Sequence, residues 1–322
     1  MGRPEEPGQR IEDYAVVGDT HTMALIGLNG SIDWLCMPRF DADAMFAALL
    51  GDEDNGRWQI CPRGLADGAV LSTTRRYREG TLILETEWET ATGVVRLIDA
   101  MPPRNSHVDI VRRVEGVRGE VEMAIRWAIR FGYGDVVPWV QRTTDLDGHE
   151  VLLAVAGPDA VVLRGDVLPT QDDRGDPCHH AYFTVRAGEV VDTAMVWFPS
   201  HEPTPHPHTV EEGLAATEEF WLEWSARSTY TGPYAEAVSR SLITLKAMTY
   251  APTGGIVAAR KADLSPQITV DAPILIPDDY VPDLDLRMGL YRRLGELEDS
   301  RGVEEFAAEM IDRFGAIPEE TG

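Results

Sequence analysis

A chain of 322 residues, 43% hydrophobic and 26% charged, carries enough apolar material for two ordinary domains with sizeable cores, which excludes disorder throughout. Its 54 acidic against 29 basic side chains give a formal charge of −25, which repels phosphates and anionic membranes and argues against direct nucleic-acid or membrane binding. Only two lysines occur, Lys246 and Lys261, and neither follows a glycine, so the chain has no Gly-Lys-Ser/Thr phosphate loop and is not an ATP motor.

Residues 1–10 read as a flexible leader that lacks the apolar core of a signal peptide, and no apolar run approaches the ~20 residues of a membrane span. The three cysteines, Cys36, Cys61 and Cys178, never form a Cys-x-x-Cys pair and suit buried thiols in a reducing compartment, so a soluble cytoplasmic protein is expected. From Ile11 onward short apolar runs recur between turn signals. Leu25–Leu28 and Ile32–Leu35 flank Asn29-Gly30, a two-residue hairpin turn whose residues tolerate positive φ. Thr81–Trp88 meets Val94–Ile98 across Thr92-Gly93, and Val140–Leu146 meets Val151–Ala156 across Asp147-Gly148. Further strands are predicted at Ile110–Glu115, Val121–Phe131, Ala160–Leu163, Ala181–Val185 and Thr193–Phe198, with a short helix at Ala42–Leu50 as the one early exception. Many short strands at hairpin spacing indicate an antiparallel β-sandwich.

Four prolines between Pro199 and His208 forbid regular structure there. Thr209 and Glu212 then form a capping box for a helix over Thr209–Ser225, with Val210, Leu214, Thr217, Trp221 and Trp224 at helical spacing. A second helix starts at Pro233 and carries Tyr234, Val238, Leu242 and Leu245 on one face. Two more helices are predicted at Leu284–Leu297 and Val303–Phe314, the latter closed by Gly315 and Pro318. The fold class is therefore mainly β: an antiparallel sandwich over 11–200, linker helices over 201–262 and a small α/β fragment over 263–322.

The run Asn29-Gly30-Ser31-Ile32-Asp33-Trp34-Leu35-Cys36-Met37-Pro38-Arg39-Phe40-Asp41 resembles the signature of the N-terminal β-sandwich of glycoside hydrolase family 15, the glucoamylase and trehalase group. Arg76–Thr81, Tyr230–Tyr234 and Leu245–Ala259 extend that resemblance over about 11–259, to the start of the family's helical barrel. Ser265–Ile268 and Ile276–Arg287 resemble instead the front of the C-terminal domain of the bacterial transcription-repair coupling factor. The change falls near Arg260–Leu264, and a structural discontinuity is expected between Ala259 and Pro273.

The family 15 resemblance implies an α-glucan or trehalose-like saccharide as a weak ligand. Trp34 and Phe40 offer faces for stacking on sugar rings, and Arg39 and Asp41 offer hydrogen bonds to hydroxyls or to an adjoining domain. The alternative for the same residues is packing: Trp34 as a core aromatic, and Arg39 paired with Asp41 in a turn. Glycoside hydrolysis needs two carboxylates about 5–9.5 Å apart, which the resemblance places in the barrel beyond Ala259. Asp99, Asp109 and Glu115 show no pairing by spacing, so no catalytic residue is assigned and the chain by itself is not expected to be active. Cys178-His179-His180 with His201, His206 and His208 are close enough in sequence to suggest zinc, yet no regular element positions the loop histidines, so neither metal nor cofactor is expected.

The coupling-factor resemblance implies a repair or transcription protein as partner of 263–322. A non-catalytic scaffold derived from a family 15 α-glucosidase is the first reading, this interaction protein the second, and a fusion without selected function the third. The apolar stripes of the two linker helices, left without a barrel, are expected to drive self-association that polar replacements of Trp221 and Trp224 would relieve.

Overall fold

Alternation of apolar and polar residues dictates most of the architecture of the computed structural model, which describes residues 9–104, 107–145, 147–171, 178–205, 209–257 and 313–314. The chain divides into two units, Met1–Lys261 and Ala262–Gly322. In the second, Arg313 and Phe314 are helical, with the Arg313 guanidinium 5.1 Å from the Phe314 ring. The other elements predicted beyond 257, and the expected discontinuity from Ala259, lie outside the described residues.

In the first unit, β1 (Tyr14–Gly18), β2 (Met23–Gly27), β3 (Ser31–Cys36), β4 (Ala44–Phe46) and β5 (Arg57–Pro62) begin one antiparallel sheet. The strands β6 (Val70–Tyr77), β7 (Leu84–Thr90) and β8 (Gly93–Ala100) begin the other. Both sheets share β9 (Val108–Ala128). Its first half pairs with β8 and β15 (Val190–Pro199), and its second half with β5 and β14 (His179–Arg186). β10 (Trp139–Thr144), β11 (Glu150–Ala156) and β12 (Asp159–Gly165) continue the second sheet beyond β15, and β13 (Thr170–Gln171) pairs with β14 at the edge of the first.

Two expectations are corrected here. The strands predicted separately at Ile110–Glu115 and Val121–Phe131 are one 21-residue strand, β9. Gly116 and Gly119 read as a break in the sequence. In the structure they let β9 pass between sheets: a Cβ on Gly116 would collide with the Arg186 carbonyl oxygen, and Gly119 has φ +66°. The helix predicted over Ala42–Leu50 is instead β4 followed by a 3-10 turn at Ala48–Leu50, because Leu35 and Cys36 offer a strand edge for Phe46 and Ala44 to pair with.

The main core lies between the two sheets and is built around Trp58, Trp88 and Trp127 with Ile26, Ile32, Leu97, Ile110 and Met195. Within it a guanidinium is fully enclosed. Arg112 donates to Asp99 Oδ1 (2.6 Å) and to the carbonyls of Trp58 and Gly30 (both 2.7 Å), and its charge lies 4.9 Å from the Trp58 ring. The Asn29-Gly30 turn explains part of this enclosure: Gly30 has φ +72°, and a side chain there would collide with the Ile60 carbonyl oxygen.

Helix α1 (Val210–Ser225) is capped by Thr209 and Glu212 as the sequence predicts. It folds back on the second sheet, burying Val210 and Leu214 against Ile83, Ile98, Val111 and Ala194. Gly213 lets it approach Pro102 and Val111, where a Cβ would stand 3.0 and 3.2 Å from their side chains. Arg113, clamped by Asp192 at 2.8 Å, reaches Glu211 of the helix at 2.5 Å, and these carboxylates hold the guanidinium well above its ordinary pKa. Trp221 is enclosed with Leu82, Ile243 and Ala247, so the expectation that polar substitution at Trp221 relieves an exposed patch is corrected: that ring is core, and truncating it would cost about 3–5 kcal/mol.

Helix α2 (Ala235–Ala247) also departs from expectation. Its buried residues are Ile243 and Ala247, while the predicted inner stripe of Tyr234, Leu242 and Leu245 is exposed. Arg240 fixes the rotation: it donates to the Thr81 carbonyl (2.9 Å) and its guanidinium lies 4.2 Å from the Tyr77 ring, so cation–π stacking turns that face to the sandwich. No helix among the described residues is long and apolar enough to cross a membrane.

Candidate functional site

The signature run from Asn29 to Asp41 distributes its side chains to three destinations. In β3, Asp33 is enclosed: its Oδ2 accepts from the Tyr14 hydroxyl (2.8 Å) and its Oδ1 from Ser31 Oγ (2.5 Å), with Arg57 at 3.4 Å. Burial, followed by the neighbouring Asp33 carboxylate, pushes the Tyr14 phenol well above its ordinary pKa, so it stays a hydrogen-bond donor. Trp34, 2% exposed, packs with Cys36, Ala44 and Ala47 and meets Tyr133 at 6.1 Å. In this arrangement it presents no face to a sugar and does the work of a core aromatic.

Arg39, Phe40 and Asp41 reach the surface. Arg39 binds Asp41 through two parallel hydrogen bonds, Nε to Oδ1 at 2.9 Å and Nη2 to Oδ2 at 3.0 Å, with both side chains exposed. Phe40 is half-buried and sets its edge toward Tyr250 at 6.3 Å. His21 approaches the same tyrosine at 5.6 Å and 83°, so Tyr250 is flanked by two rings supplied by two loops. The Phe40 amide donates to the His21 carbonyl at 2.9 Å, tying those loops together.

The support beneath is a buried charge pair. Asp19 Oδ1 accepts the amides of His21 and Thr22 (both 2.8 Å), closing the β1–β2 loop, while its Oδ2 accepts Arg104 Nε at 3.0 Å. Arg104 also donates to the Pro38 carbonyl at 2.5 Å, which holds the segment leading to Arg39; the Met37–Pro38 peptide bond is cis. Thr20, between Asp19 and His21, has φ +68°. A β-branched residue is strained there by an order of ~1–3 kcal/mol. Its carbonyl accepts the Ala251 amide at 3.0 Å, and Ala251 belongs to the hairpin that follows α2, closed by Tyr250 N–H to Gly255 O (2.8 Å) and Val257 N–H to Met248 O (2.9 Å).

The structure thus brings together Arg39, Phe40 and Asp41 and places Trp34 in a separate cluster. It adds Asp19, His21, Arg104 and Tyr250. Gly18-Asp19-Thr20 carries a turn signal in sequence, but nothing in a single sequence links Arg104 or Tyr250 to residues so far away along the chain. The cluster can offer a paired cation and anion and half-buried aromatic edges to a polyhydroxylated ligand or to an adjoining polypeptide. Both of its carboxylates, Asp19 and Asp41, are held by guanidinium groups.

Several of the remaining titratable groups have local partners. Asp99 pairs with Arg112 and Glu115 with Arg96 at 3.4 Å. Burial pushes His179 below its ordinary pKa, with His180, Arg130 and Arg142 adding to the effect, and its ring packs 5.6 Å from Trp127. His206 and His208 lie outside the described residues. Asp145, Asp147 and His149 offer ligand atoms within 4.8 Å of one another, but Asp145 Oδ1 already accepts the amides of Asp147 (3.0 Å) and His149 (2.9 Å), and its Oδ2 accepts Arg164 (3.0 Å). Those hydrogen bonds close the β10–β11 loop.

Comparison with known proteins divides the chain in two. Residues 5–210 match the family described as trehalase-like, N-terminal, and residues 270–322 match the TRCF domain. The trehalase of Mycolicibacterium smegmatis is 31% identical over 284 residues, covering 80% of this chain and 41% of that protein. The chain therefore spans about 41% of the length of that relative. The transcription-repair-coupling factor of Rickettsia bellii is 53% identical over 55 residues, which are 17% of this chain and 5% of that protein. Among solved structures, a bacterial glucoamylase complexed with acarbose superposes with a TM-score of 0.50 at 10% identity, over 77% of this chain and 42% of that one, a likeness of fold.

Proposed function

The chain belongs to the trehalase-like N-terminal family, and from that premise we propose that it is a non-catalytic scaffold derived from a family 15 α-glucosidase. The observation that carries the reading is the change of kinship within the chain: the trehalase-like family match covers residues 5–210, which hold the sandwich, and the TRCF domain match begins at residue 270. Hydrolysis of a glycosidic bond needs one carboxyl that donates a proton and a second carboxylate across the bond. In the loop cluster Asp19 and Asp41 are each committed to an arginine, so neither is free for that work. Arg39, Phe40 and Asp41 keep their exposed atoms for weak contact with a saccharide of the α-glucan or trehalose type, while Tyr250 and the hairpin hold the cluster to α2.

The test is turnover. The purified chain is expected to release no glucose from trehalose, maltose or maltooligosaccharides above a buffer blank, since general-acid catalysis alone contributes about 10²- to 10⁴-fold. Release of glucose that scales with protein through successive purification steps would overturn the proposal. Saccharide binding is read separately, by chemical-shift changes on titrating trehalose into the wild type and an Arg39→Ala, Asp41→Ala variant.

A second reading rests on the 53% identity to a transcription-repair-coupling factor over 55 residues. It makes residues 263–322 a docking segment for a repair or transcription protein. Co-sedimentation of the full chain with purified repair proteins tests it, and absence of a complex at micromolar concentrations of both would remove it.

A further inference from the structure

Helix α2 has two apolar faces on opposite sides. The inner one carries Ile243 and Ala247, enclosed with Leu82 and Trp221. Exposed Glu236 and half-buried Arg240 fall in register with them at i, i+4, i+7 and i+11, on the same side of a helix that turns about 100° per residue. The outer face carries Tyr234, Val238, Leu242 and Leu245. Tyr234 is 70%, Leu242 38% and Leu245 48% exposed, and Val238 is half-buried. Between Tyr234 and Leu245 no charged residue shares that side, and Ala237 and Ser241 fill the space between the large side chains. A helix packed on one side and apolar on the other exposes surface of the kind that soluble proteins keep for association.

We propose that the occupant of this outer face is a second copy of the same chain, docked with its α2 antiparallel about a two-fold axis midway between Val238 and Leu242. The stripe is self-complementary. Its steps of four, four and three residues read nearly the same from either end, so two antiparallel copies set Tyr234 against Leu245 and Val238 against Leu242, the isologous arrangement of a two-fold dimer. Charge selects this face as well: two copies that each carry −25 repel over most of their surfaces, and the uncharged stripe is where they approach at least cost. Four side chains per copy make a small interface, below the usual ~800 Å² per partner, so the dimer is a weak one that forms at micromolar or higher concentration. Screening of the repulsion strengthens it as salt rises.

Sedimentation velocity of the full chain from about 1 μM to about 500 μM is expected to show a monomer shifting to a dimer. The shift comes at lower protein concentration in about 0.5 M than in about 0.05 M salt. The variant Leu242→Asp, Leu245→Asp, altered only at exposed positions, is expected to keep the wild-type circular dichroism and stay monomeric throughout. Cross-linking gives an independent reading, because Cys36, Cys61 and Cys178 are all buried. Ser241→Cys adds an exposed thiol beside the axis, and mild oxidation is expected to link it into a covalent dimer at least tenfold faster than a Ser72→Cys control on β6. A wild type that stays monomeric in both salts, association that survives unchanged in the aspartate variant, or equal linking rates at positions 241 and 72 would each overturn the proposal.

Discussion

Replacing Arg112 by methionine tests how much the sandwich depends on its enclosed charge. The side chains of Arg112 and Asp99 are both 0% exposed and meet at 2.6 Å. The substitution leaves the Asp99 carboxylate buried without its cation, and Asp99 Oδ2 has no other hydrogen-bond partner among the described residues. It also withdraws charged donors from the Trp58 and Gly30 carbonyls and removes the cation from the Trp58 ring. Breaking a buried pair from one side costs about 3–5 kcal/mol, against a total stability of about 5–15 kcal/mol. At about 2–4 °C per kcal/mol for a domain of this size, the melting temperature is expected to fall by about 6–20 °C. Tryptophan fluorescence is a suitable probe, since all eight tryptophans precede Ser225 and report on the sandwich and α1 alone. The comparison is Arg39→Met, which breaks an exposed pair worth less than about 1 kcal/mol. Adding Asp99→Asn to Arg112→Met removes the stranded charge and is expected to recover part of the loss. If Arg112→Met melts within a degree or two of Arg39→Met, the argument from burial is wrong.

Glu85 gives an acid-side prediction. Although burial alone would raise its pKa, hydrogen bonds from Arg78 and Arg76 outweigh it and hold the carboxyl below its ordinary 4.5. A depressed folded-state pKa gives stability that is present above 4.5 and lost as pH falls through the folded value, so the melting advantage over Glu85→Gln should vanish on acidification; a constant gap from pH 7 down to 3 would contradict this. His179 acts higher on the scale: enclosed and neutral, faced by His180, Arg130 and Arg142, it takes up its proton in the unfolded chain first, and stability falls as pH drops below 6.5. His179→Phe should flatten urea midpoints measured between about pH 6.5 and about 5, and an unchanged slope would count against the assignment. Gly30→Ala should be much more costly than Gly68→Ala although both glycines have positive φ, because a Cβ at Gly30 meets the Ile60 carbonyl oxygen and one at Gly68 meets nothing within 4 Å. Equal urea midpoints for the two variants would refute that steric account.

Local patterns in the sequence determined a great deal here. Alternation and turn chemistry are properties of a few neighbouring residues, so Asn29-Gly30, Thr92-Gly93 and the Thr209–Glu212 capping box mark elements that form where they stand. Those local signals place the β-sandwich and α1, and the run from Asn29 to Asp41 lies within the residues that match the family. Tertiary structure decided what depends on partners distant in the chain. Only the presence of β14 and β15 on either side of Gly116 and Gly119 makes β9 continuous, where the glycines alone signal a break. Which stripe of α2 faces inward was fixed by Arg240 stacking on Tyr77, a contact across more than 160 residues that helical periodicity does not encode. The surface cluster likewise required Arg104 and Tyr250 to arrive beside Asp19, His21 and Phe40. Periodicity says which residues share a face, while the rest of the fold, through the packing it supplies, says where that face points.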